Sequence, residues 1–145
     1  MAIKFNIGLG RSGENFRWDV VVFKNHRQQR RGELYRLKLG NFRGNSKGQS
    51  KACVIAYKPQ KNTQWLGCVL FSEDFLRDET LLHESIHMAW SIADYLRKYD
   101  NKSRWLKRDF EEMLCLVSGL IFKELKRKIK RELGRGRGNN RRKCS

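Results

Sequence analysis

The sequence predicts an α+β fold, with a small antiparallel-rich sheet in the N-terminal half followed by two helices. Two observations carry that expectation. Up to about residue 72, short runs rich in Val, Ile, Phe, Tyr and Cys alternate with polar breakers; after residue 75 the hydrophobic period lengthens to the helical one. The chain has 145 residues, 39% of them hydrophobic, which suits one domain with a real core.

The runs at 3–7, 18–23, 34–39, 53–57 and 68–71 read as strands, and the Gly-, Asn-, Lys-, Arg- and Gln-rich stretches at 8–13, 24–32, 40–49 and 59–63 as their connections. Gly8-Leu9-Gly10-Arg11-Ser12-Gly13 matches the GxGxxG pattern of dinucleotide-binding folds. That pattern must open a helix, whereas residues 14–18 lead into a β-branched run, so a hairpin loop is expected. Asp78 is a candidate N-cap for a helix from about 80 to 98. A polar break at 99–103 precedes a second helix from about 105 to 131. The low-complexity segment 134–145 reads as a disordered basic tail, leaving residues 1–133 as the folded domain.

Charge points to acidic partners. There are 32 Lys+Arg against 15 Asp+Glu, a formal net charge of +17. Residues 123–145 hold eleven basic and two acidic residues, or +9 of the total, leaving +8 on the body. Lys126, Arg127, Lys130, Arg131, Arg135, Arg137, Arg141, Arg142 and Lys143 are the candidate contacts to nucleic acid. The longest nearly unbroken apolar stretch, 113–122, is far short of the ~20 residues that span a bilayer. With no signal-like N-terminal run, the expectation is a soluble, cytoplasmic protein without a membrane role. Cys53, Cys68, Cys115 and Cys144 form no CxxC pair and read as free thiols, two or three of them in the core; Cys144, next to last, does not fit a prenylation signal.

The chemistry-bearing motif is His83-Glu84-Ser85-Ile86-His87, an HExxH pattern inside the first helix. Histidines four apart share a helix face, so both imidazoles can reach one Zn²⁺, and Glu84 is placed to deprotonate a water there. A wheel centred on Leu82, Ile86, Ala89, Ala93 and Leu96 as the apolar face puts the histidines on its flank and Glu84 a little beyond. The strand at 67–72 could then border a cleft. A catalytic zinc needs a third protein ligand. His26 lies in a strongly basic stretch that would repel a cation. On the second helix, Phe110, Met113, Leu114, Val117, Ile121 and Leu125 form the main apolar face. Glu112 shares the opposite stripe with Cys115, Leu116 and Gly119, which favours it over Glu111 as the ligand. Tyr95, Tyr99 and His26 are the candidates to steady a developing oxyanion.

The segment from Leu82 to Ala89, with Glu112-Met113-Leu114-Cys115-Leu116-Val117-Ser118-Gly119-Leu120-Ile121, resembles the small HExxH metallopeptidase-like proteins encoded by bacteriophages. The resemblance covers about residues 65 to 122. It implies a zincin-like fold and a minimal gluzincin-like site, with His83, His87 and Glu112 as zinc ligands, Glu84 as general base, and a protein or peptide as substrate. The basic tail is not part of that pattern. A separate reading makes the chain a basic nucleic-acid-binding accessory or inhibitor protein whose zinc site is structural or vestigial.

Overall fold

The alternating runs of the N-terminal half pair into a sheet, and most of the expected elements are present. The computed structural model describes residues 2–10, 16–38, 42–43, 51–57, 65–100 and 110–143, the side chains at 37–38, 42–43 and 136–143 excepted. Among these residues five strands, β1 (Ala2–Leu9), β2 (Phe16–Phe23), β3 (Phe42–Arg43), β4 (Cys53–Tyr57) and β5 (Trp65–Ser72), form one sheet in the order β1-β2-β5-β4-β3. The helices are α1 (His26–Lys38), α2 (Asp78–Tyr99) and α3 (Phe110–Lys143). The architecture is mixed α and β, compatible with the expected α+β class.

Every strand pair is antiparallel except β2 with β5, where Phe23 lies opposite Ser72. A parallel pair needs a long crossover between its strands. Part of that crossover is α1, which replaces the loop expected at 24–32 and the strand expected at 34–39. Asn25 caps it, its Oδ1 accepting the Gln28 N–H at 2.9 Å, and the His26 N–H donates to Asp74 Oδ2 at 2.9 Å. Gly32 packs so closely on the Phe23 ring that a Cβ there would overlap it.

The pleat separates two apolar clusters. Trp18, Val20, Val22, Val69 and Phe71 face the cluster shared with α2 and α3, while Val21, Cys53, Ile55, Cys68 and Leu70 form another, the one that α1 approaches through Phe23 and Cys53. Strand β5 is therefore central, flanked by β2 and β4. Gly67 marks the closest approach, since a Cβ there would run into the Ile55 carbonyl oxygen. Cys53 and Cys68 are buried free thiols and Cys115 is an exposed one; Cys144 lies outside the described residues, as do residues 44–50 and 58–64 of the expected loops.

The buried face of α2 is rotated from the one expected. Leu81, Glu84, Ser85, Met88, Ala89, Ile92, Ala93 and Leu96 are buried, whereas Leu82 and Ile86 are 45% and 43% exposed. Ser85 tolerates burial because its hydroxyl donates to the Leu81 carbonyl at 2.7 Å. Helix α3 buries Met113, Val117, Ile121, Leu125 and Ile129, the four-residue spacing that the sequence shows. It runs antiparallel to α2: Phe110 meets Trp90 edge to face at 5.3 Å, and Lys126 pairs with Asp78 at 3.0 Å. Its backbone stays helical through Lys143, past the expected boundary at 133. Residues 134–143 contain no proline, so nothing interrupts the ladder of backbone hydrogen bonds. Among the described residues no helix is long and apolar enough to cross a membrane.

Candidate metal centre

Helix α2 presents His83 and His87 one turn apart on its exposed side. Their Nε2 atoms approach to 3.2 Å. Two imidazoles bound to one tetrahedral zinc, with Zn–N near 2.0–2.1 Å, place their nitrogens about 3.3–3.4 Å apart. The observed separation therefore fits a shared ion. The His87 imidazole is held below its ordinary range, first by desolvation and then by His83, which favours the neutral form that a metal requires.

Glu84 lies next to the pair but points inward. It is 5% exposed, and its Oε1 stands 4.0 Å from His83 Nε2. Burial, with a smaller contribution from the charge of Glu33, pushes its carboxyl up to about 7. A carboxyl in that range can both take and return a proton near neutrality. Leu82, Ile86 and Trp90, spaced by four, run along the same helix as the imidazoles and are about half exposed.

Glu33 is the residue that sequence reasoning missed. It is fully buried on α1, with the Cys53 thiol hydrogen-bonding its carboxyl and, among the described residues, no nitrogen or oxygen partner for either carboxylate oxygen. Burial raises its carboxyl above the ordinary range, while Cys53, Arg30 and His26 act in the opposite direction. Burial also raises the Cys53 thiol, with further contributions from Glu33 and Glu84. The two helices thus bring toward Glu84 a second carboxyl, that of Glu33, from 51 residues earlier in the chain. Little in the sequence points to it: among the described side chains of α1 the fully buried ones are Gln29 and Glu33, four apart, while Leu34 and Tyr35 are 50% and 65% exposed. This helix turns its polar side inward.

Glu112 does not join the histidines. It is exposed in the first turn of α3, and among the described residues no group of three His, Cys, Asp or Glu side chains is placed to hold a metal. The reason is the length of α2, which continues three turns beyond His87. The chain therefore returns with Phe110 against Trp90 and under Arg97, while Lys126 reaches back to Asp78. That register sets the stretch around Val117–Ile121, rather than Glu112, level with the histidines. Glu111 is likewise exposed in the first turn.

The oxyanion candidates have other contacts. Tyr95 packs on Phe16 and Tyr99, and His26 is tied to Asp74 and the Phe75 ring. Of the candidate nucleic-acid contacts, Lys126, Arg127, Lys130, Arg131 and Arg135 are exposed on α3. The side chains of Arg137, Arg141, Arg142 and Lys143 lie outside the described residues. No family model, curated protein or solved structure matches this chain.

Proposed function

We propose that this chain is a zinc-dependent peptidase of the small phage-encoded HExxH type, with a zincin-like fold, acting in the cytoplasm on a protein or peptide. The observation that carries the reading is the convergence of His83 and His87 Nε2 at 3.2 Å beside a buried Glu84. The donor set is suited to zinc: two imidazoles one turn apart, with a carboxyl 4.0 Å from one of them. When bound, zinc supplies Lewis acidity, polarising a peptide carbonyl and acidifying a water.

The protein's own groups do the rest. His83 and His87 would hold the ion from one helix, one turn apart. Glu84 accepts the water proton and delivers it to the leaving amine nitrogen, a role matched to a carboxyl poised near neutrality. The half-exposed Leu82, Ile86 and Trp90 favour apolar side chains in the substrate near the scissile bond. The reading stands on His83, Glu84 and His87; Glu112, expected from the sequence as third ligand, does not support it in this arrangement.

Hydrolysis of a quenched-fluorescence peptide mixture by zinc-loaded protein tests the reading. Glu84→Gln should keep the metal and lose turnover by roughly 10²-fold or more, as expected for removal of a general base. Unchanged hydrolysis in Glu84→Gln, or in the presence of excess chelator, would refute it.

A further inference from the structure

The last turns of α3, from Gly134 to Lys143, continue the helix past the last side chain described against the core, Leu133. Ile129 is the last buried side chain described on it, and a Cβ at Gly134 would meet nothing within 4 Å. Over residues 134–143 the sequence is Gly-Arg-Gly-Arg-Gly-Asn-Asn-Arg-Arg-Lys, with five basic residues, no acidic one and no apolar side chain. Further back on the helix the nearby carboxylates are already engaged. Glu124 pairs with Arg127 at 2.8 Å, Glu132 lies near both Arg131 and Arg135, and Asp78 holds Lys126.

We propose that this end of α3 is a nucleic-acid-binding helix that docks against a duplex through its phosphates. Three features select that partner over other acidic surfaces. An amphipathic membrane helix needs an apolar face, and a protein interface buries apolar area at its centre; residues 134–143 have nothing to contribute to either. Nucleic acid asks only for cations, and four of the five here are arginines, whose planar fork matches phosphate oxygens. An α-helix about 10–12 Å across also fits a major groove about 12 Å wide. Glycines at 134, 136 and 138 leave the backbone free to approach the phosphates closely. They are also weak helix formers, and like charges four apart at Arg137 and Arg141 add repulsion, so a polyanion would stabilise the helical form. Through the Lys126–Asp78 pair, the projecting end lies toward the start of α2, five residues before His83.

Anisotropy of a labelled duplex of ~20 base pairs with the full-length chain, across a salt series, tests the proposal. Replacing Arg135, Arg137, Arg141, Arg142 and Lys143 together by Gln should weaken binding by about tenfold or more and reduce the salt slope by about 4–5. Gly134→Pro retains every charge but interrupts the helix just after Leu133, the last side chain described against the core, and should weaken binding by about fivefold or more. If neither variant changes affinity, the segment is not the contact surface. If only the charge variant does, the contact is a charged strand and helical docking is wrong. Equal binding to phosphatidylserine vesicles would show a general polyanion surface and overturn the assignment. Both variants should unfold at the wild-type temperature; a lowered midpoint would make the segment part of the fold instead.

Discussion

Replacing Glu84 by Gln should remove a pH-dependent destabilisation of the metal-free fold. Glu84 is 5% exposed, and its carboxyl is raised from an ordinary 4.5 to about 7. An acid raised on folding binds its proton more tightly in the native state. Its stabilising contribution is thus complete below pH 4.5 and is lost as pH rises to about 7. The gap corresponds to about 3 kcal/mol, a large share of a marginally stable domain. His87, lowered on folding, acts with the opposite sign, adding stability as pH rises toward 6.5, so wild type alone would blur the effect. The difference between wild type and variant isolates Glu84. Urea unfolding of chelator-treated protein measures it. The variant should gain on wild type progressively between about pH 4.5 and 7, reaching up to about 3 kcal/mol and staying level above. A difference that does not change with pH would refute the reasoning.

Three further outcomes follow from the same structure. Glu33→Gln should raise stability at pH 8 more than at pH 5, because it removes a carboxylate whose burial outweighs the help of Cys53, Arg30 and His26, and equal effects at both pH values would contradict that. Gly67→Ala should destabilise by about 1–3 kcal/mol in urea unfolding, since the added methyl meets the Ile55 backbone rather than a flexible side chain; a neutral change would mean that β4 and β5 can move apart. Trp90→Ala should cost about 1 kcal/mol or more through loss of the edge-to-face contact with Phe110 that anchors the start of α3.

How much of this was legible in the residues depends on where packing, rather than pattern, decides. Strands β1, β2, β4 and β5 followed from runs of Val, Ile and aromatics, and the buried face of α3 from its spacing of four. Helix α1 did not, because the alternating Leu34-Tyr35-Arg36-Leu37 mimics a strand while the actual buried residues, Gln29 and Glu33, are polar. The wheel of α2 went astray for a related reason. The polar Glu84 and Ser85 are both buried, which turns Leu82 and Ile86 outward. His83, Glu84 and His87 were legible because their spacing lies within one helix. Glu112 was not, because its position depends on how far α2 runs and on how α3 then packs against it, which no local spacing reveals. The charge resolves in a similar way. Composition showed its size, and the helix running to Lys143 shows how part of it is displayed.

The account rests on His83 and His87 forming a chelating pair, and zinc binding at neutral pH tests that most directly. Equilibrium dialysis with metal analysis should find about one zinc per chain, lost in both His83→Ala and His87→Ala while the fold persists. A wild-type protein that takes up no zinc, or variants that keep it, would contradict the account.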